Sequence, residues 1–311
     1  MWMVGVVVAV SVAAAALVMT NKLVYGPTGQ VREYFHALRV GNGSRGLLNA
    51  QIPAGDAALL DGEALKRSVA SMSRVDYEVV ETSEDGRQAT VRASYTLDGQ
   101  PQHTDFHLHH SGTHWGFFDK WAIDGDTLPT VKVNIQGVEA ATINNRKVAV
   151  DEGEATFPVF YPGTYAVSYD STVYTAQKVT ETVTNNQGEH VARVDLKPSD
   201  NALASVKEQI NDHLQKCAAQ NALYPTGCPF EYSFGGRVDS TVQWTVEKVA
   251  DPQVSVNASG VWSVQPMKGT VKVSFTQLDL YTGVRSQVQK EIPFTLKASV
   301  EADAKAVHVT F

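Results

Sequence analysis

The stretch Q-A-T-V-R-A-S-Y-T-L-D-G-Q-P-Q-H-T-D-F-H-L-H-H, residues 88–110, decides how this chain folds. Ala89, Val91, Ala93 and Tyr95 alternate with polar residues. Asp98-Gly99 interrupts, and then Phe106 and Leu108 alternate against His103, Asp105, His107 and His109. A period of two on each side of an Asp-Gly pair predicts an antiparallel hairpin with one buried face. The neighbouring sequence extends the pattern. Val75, Tyr77 and Val79 share a face before Asp85-Gly86. Trp115, Phe117, Trp121 and Ile123 share one after Ser111-Gly112. A four-stranded meander follows, with turns expected at 85–86, 98–99 and 111–112.

Upstream the period becomes helical. Val31, Tyr34, Phe35 and Leu38 fall at i, i+3, i+4 and i+7, between Pro27-Thr28 and Gly41. Asn42-Gly43-Ser44 starts a short helical piece with Leu47 and Leu48, and Leu65, Val69 and Met72 mark another helix. Helices followed by a meander predict an α+β module over residues 27–126, its helices on one face of the sheet.

Residues 127–198 carry no helical pattern. Short alternating runs such as Val131, Val133 and Ile135 stand between turns at Asn144-Asn145 and Asn185-Asn186-Gln187-Gly188. That predicts a small β-sandwich acting as a spacer. Residues 199–311 open with Leu203, Val206, Ile210, Leu214 and Cys217 at helical spacing and continue in alternating strands. This reads as a second α+β module, a distant copy of the first.

The segment that opens at Met1 and closes at Asn21 has no charged side chain. As a helix rising about 1.5 Å per residue it would span about 30 Å, the thickness of a bilayer's hydrocarbon core. Its length and the missing basic flank favour an uncleaved anchor over residues 1–24 against a cleaved signal peptide. Counting Lys and Arg alone would keep the C-terminal part in the cytoplasm, since Lys22, Arg32, Arg39 and Arg45 follow the segment and none precedes it. The cysteines argue for the other side. Cys217 and Cys228 are the only two in 311 residues, with none left over. A bridge between them would staple a helix end to its following loop, and such pairing suits an oxidising compartment. Two buried free thiols in a cytosolic domain are the alternative. Zinc is poorly served, because the close C-x-x-C pairs of structural sites are missing.

The net charge is −7, and no basic stripe or Lys/Arg cluster occurs, which argues against a nucleic-acid partner. Gly41-Asn42-Gly43-Ser44-Arg45-Gly46 spells G-x-G-x-x-G, but it follows a helix rather than a strand, so it lacks the setting of a dinucleotide site. Hydrolase, zinc-protease and P-loop motifs do not occur in the sequence. Neither a cofactor nor catalysis is implied.

Three stretches carry a resemblance: V-R-E-Y-F-H-A-L-R-V-G-N at 31–42, Y-T-L-D-G-Q at 95–100 and W-G-F-F-D-K-W at 115–121. In them the first module resembles the NTF2-like (cystatin-like) fold of bacterial envelope proteins. F-Y-P-G-T-Y at 160–165 is similar to the F-P-G-x-Y element of small β-sandwich spacers. The order of anchor, α+β module, β spacer and stapled α+β module resembles actinobacterial membrane proteins of the teicoplanin-resistance-associated (TcaA-like) group. That resemblance implies a single-pass membrane protein whose C-terminal part is extracytoplasmic. Its partners would be cell-wall polymer or other envelope proteins.

Two groups of residues are candidates for chemistry. His103, Asp105, His107 and His109, with His110 and His114 nearby, form a row on one strand face that could bind a transition metal or sense pH. Residues two apart on a strand are about 6.6 Å apart, so a single ion would need help from a neighbouring strand. A solvated outer sheet face explains the same alternation. Tyr34, His36, Tyr95 and Trp115 could line a pocket between helix and sheet, although aromatics at these spacings usually form core. An enzyme or small-ligand sensor built on either group is the alternative to a binding or scaffold role.

Overall fold

The computed structural model describes residues 11–12, 15–16, 19, 25–47, 50–115, 118–125, 127–303 and 305–311. The expected anchor lies outside the described residues save for Ser11, Val12, Ala15, Ala16 and Met19. Among the described residues no helix is long and apolar enough to cross a membrane. The fold is α+β, mostly strands with few helices. Contacts divide the chain into two compact units, Met1–Ser168 with Lys178–Val194, and Tyr169–Gln177 with Asp195–Phe311.

From Pro27 the first unit runs into helix α1 (Pro27–Val40), which buries Val31, Tyr34, Phe35 and Leu38 on one face. Pro at its first turn costs no hydrogen bond there. Gly41 ends it in the left-handed region, its N–H bonded to Leu38 O at 3.0 Å. Short helices α2 (Gly43–Leu47) and α3 (Gly62–Ser68) follow, with a 3₁₀ turn at Ala57–Leu59. Strands β1 (Ser73–Thr82), β2 (Gln88–Leu97), β3 (Gln100–His114) and β4 (Phe118–Ile123) then form an antiparallel sheet in sequence order. Asp98 and Gly99 both take positive φ, 49° and 79°, as a two-residue hairpin turn requires.

The turn expected at Ser111-Gly112 is not there. Gly112, at φ 135°, sits in a bulge between β3 and β4, and β3 runs on to His114. The extra residue puts Trp115 at the hairpin end, 84% exposed, rather than on the face it was expected to share with Trp121 and Ile123. The core lies between α1 and the inner face of the sheet, where Tyr34 and Phe35 meet Phe106 edge-on at 5.4 and 5.9 Å.

Two further sheets complete this unit. Strands β5 (Thr130–Asn134), β6 (Ala140–Ile143), β7 (Arg146–Ala149), β8 (Glu154–Pro158) and β9 (Gly163–Ser168) are followed by β10 (Tyr174–Ala176), β11 (Val179–Val183) and β12 (Glu189–Arg193). The sheets run β12-β5-β8 and β11-β9-β6-β7, and β12 pairs β5 in parallel. Val131, Val133, Ile143, Phe157, Tyr165 and Val167 are fully buried. Phe160 joins the helix–sheet core instead. The buried Asn144 amide donates to Ala64 O (3.3 Å) and Thr164 O (3.0 Å) and accepts from Ala166 N–H (3.0 Å). A buried amide so satisfied fixes how α3 meets the β-strands.

In the second unit β10 pairs with β13 (Leu196–Pro198). Ser199 caps α4 (Asp200–Ala218) by accepting from Ala202 N–H at 3.1 Å. The helix buries Ala202, Val206, Ile210, Leu214 and Cys217, and Leu203 is only half-buried. Strands β14 (Arg237–Val238), β15 (Gln243–Val249), β16 (Val254–Val256), β17 (Trp262–Val264), β18 (Met267–Leu278), β19 (Arg285–Leu296), β20 (Ser299–Ala302) and β21 (Val307–Thr310) follow. The long β18 pairs with β14, β15 and β19, so its sheet does not repeat the sequential meander of the first unit.

Candidate functional site: the outer face of β2 and β3

Alternation along β3 sends Thr104, Phe106 and Leu108 inward and exposes His103, Asp105, His107 and His109. The cross-strand register puts Arg92 opposite Asp105 and Thr90 opposite His107. Arg92 grips Asp105 with two hydrogen bonds of 2.7 Å each. The guanidinium holds that carboxyl below the usual carboxylate range, with smaller help from the neighbouring His103 and His107. Thr90 Oγ1 meets His107 Nδ1 at 3.2 Å, and Asp124 Oδ1 meets His109 Nδ1 at 2.6 Å. His110, beside the bulge, turns half inward, with Nε2 3.3 Å from Asp119 and its ring edge-on to Trp121.

This arrangement does not gather the row around a metal ion. Among the described residues no three His, Cys, Asp or Glu side chains come together in a way that could hold one. The strand spacing keeps successive imidazoles apart, and the nearby carboxylates are already engaged by Arg92 and His109.

Two adjoining depressions border the histidine row instead. One, of about 260 Å³, lies between the first half of β3 and the loop at 184–187. The other, of about 230 Å³, lies toward the end of β1 and the start of β2. Both are lined by His107 and Asp124, which stand where the two meet. The loop is tied down by Thr104 Oγ1, which donates to Thr184 O, and by an Asn185 turn in which Oδ1 accepts from Gln187 N–H at 2.9 Å.

Tyr34, His36, Tyr95 and Trp115 do not share a cavity. Tyr34 and Tyr95 are core residues, 5% and 3% exposed, whereas His36 and Trp115 are on the surface. Burial raises the Tyr34 phenol well above its ordinary range and pushes Tyr95 up to about 12. The Tyr34 hydroxyl donates to Tyr161 O, and Tyr95 and Thr104 bond hydroxyl to hydroxyl at 2.7 Å.

In the second unit Cys217 and Cys228 form a disulfide, their Cα atoms 5.7 Å apart. Gln220 bonds Thr226 in both directions inside the loop it closes. Pattern reading alone picks out the histidine row but not Arg92, Asp124 or the 184–187 loop as its neighbours. The Arg92 pairing follows once the Asp98-Gly99 register is counted back; the loop, about eighty residues away, leaves no local signal. Comparison with protein-family models, with curated proteins and with solved structures returns no match to this chain.

Proposed function

We propose that the chain is a non-catalytic, single-pass cell-envelope protein, anchored by residues 1–21, that recognises cell-wall polymer or another envelope protein outside the membrane. The reading takes residues 27–126 as NTF2-like, 127–198 as a β-sandwich spacer and 199–311 as a stapled α+β module, in the order of the TcaA-like group. The observation that carries it is the Cys217–Cys228 disulfide, which uses every cysteine in the chain and belongs to an oxidising compartment.

Other features agree with an anchor. Val12 and Met19 are 63% and 67% exposed on helical backbone, as apolar side chains destined for lipid would be. Just after the leader, Tyr25 stacks on Phe118 with ring centroids 4.4 Å apart, beside the hairpin that exposes Trp115. Aromatic side chains collect at membrane–water interfaces. Recognition rather than catalysis is favoured because the displaced acidities have structural causes. Asp85, Asp279 and Asp303 accept hydrogen bonds in turns, Asp105 pairs with Arg92, and Tyr34, Tyr95 and Tyr165 are buried.

The test is co-sedimentation of the full chain, in detergent, with purified cell walls, beside cross-linking in intact cells. Pelleting with the walls, or cross-links to envelope proteins, is the expected result. A chain left wholly in the supernatant and cross-linked only to cytosolic proteins would overturn the proposal.

A further inference from the structure

We infer that the two depressions beside the histidine row of β3 are a glycan-binding groove that takes a neutral, hydroxyl-rich saccharide segment. The inference rests on the cell-wall reading above and names the chemistry that would be recognised.

The lining decides between ligand classes. A polyanion is disfavoured. Glu81, Asp105 and Asp124 all face the depressions, and the adjacent Arg92 is committed to Asp105 through both of its hydrogen bonds. A cation is disfavoured because two of these three carboxylates, Asp105 and Asp124, are already engaged by Arg92 and His109. What remains is a set of planar amides and imidazoles: Asn185 and Gln187 on the loop, Gln88 on β2, and His103 and His107 on β3. The amides and His103 can donate and accept, as every sugar hydroxyl can, and His107, its Nδ1 taken by Thr90, offers Nε2 for one of the two roles. The half-buried Tyr161 also borders the first depression, its ring packed on the inward-facing Phe106 at 6° and a centroid distance of 6.0 Å.

Shape and stiffness agree with a polymer. Each depression is smaller than the roughly 300–1,000 Å³ that encloses a drug-sized ligand. Two that meet at His107 and Asp124 suit a chain laid across the sheet. The walls are fixed before any ligand arrives. His107 is held by Thr90, and Thr104 and the Asn185 turn hold the loop. Preorganised walls lower the ordering cost of binding.

The experiment titrates the detergent-solubilised full chain with chitotetraose, a neutral β-1,4-linked tetramer of N-acetylglucosamine, beside cell-wall co-sedimentation of the same proteins. Saturable binding is expected, weakened at least tenfold by His107→Ala and by Gln187→Ala, and unchanged by Lys178→Ala away from the groove. Both groove positions are exposed, and unchanged circular dichroism and melting will show that the variants fold. If the wild type ignores chitotetraose, or the groove variants bind it equally well, the groove assignment is overturned. Should all these proteins still pellet with cell walls, the broader function survives that failure. If none of them pellets, recognition of wall polymer fails as well.

Discussion

At the residue scale, Gly41 shows how narrowly one position can be constrained. Its φ of 71° lies in the left-handed region, and a Cβ there would come 2.4 Å from the carbonyl oxygen of Gly62. Backbone must shift to admit any side chain, so Gly41→Ala should cost about 2 kcal/mol or more in chemical denaturation. A loss under about 0.5 kcal/mol would mean that α1 and α3 meet differently. Tyr95 gives a pH prediction. Its ionisation sits near 12 because of burial, against about 10 in an unfolded chain. An acid whose folded value is raised contributes stability that is complete below pH 10 and is lost as pH climbs toward 12. Denaturation at pH 8, 10 and 11 should therefore show a falling stability, and Tyr95→Phe should flatten that fall while weakening the protein at pH 8 by about 1 kcal/mol. An unchanged slope would place the alkaline sensitivity elsewhere. Gly41 was readable in the sequence as a helix stop, but its contact with Gly62 was not, because nothing local encodes which carbonyl passes nearby.

At the element scale, the β2–β3 hairpin was legible in full. Alternation, the Asp98-Gly99 turn and the buried face all follow from a period of two. The end of β3 was not legible, because Ser111-Gly112 satisfies a turn and a bulge equally well. Burial of Trp121 and Ile123 selects the bulge, and that choice moves Trp115 out to solvent. Helix α4 behaves as its spacing predicts, with Ala202 taking the buried place expected for Leu203. Its staple should be measurable. A bridge across 11 residues is worth about 3 kcal/mol in the chain-entropy model. Reducing it, or replacing both cysteines by serine, should lower the stability of the second unit by about 2–4 kcal/mol. Calorimetry with and without reductant checks this, and identical transitions would mean that the bridge adds nothing.

At the scale of the whole molecule, periodicity finds strands but not their partners. β10 follows the strands of the first unit in sequence, yet it pairs with β13 and belongs to the second. For the same reason the groove joins β3 to a loop some eighty residues later, which local pattern cannot reveal. The central claim is that this chain stands on the oxidising side of a membrane. Intact cells treated with an external protease and a membrane-impermeant thiol reagent test it most directly. The account predicts that the chain fractionates with membranes, that the protease removes the part beyond residue 27, and that Cys217 and Cys228 take up the reagent only after reduction. A chain protected from the protease, soluble after lysis and carrying two thiols that react without reductant, would contradict it.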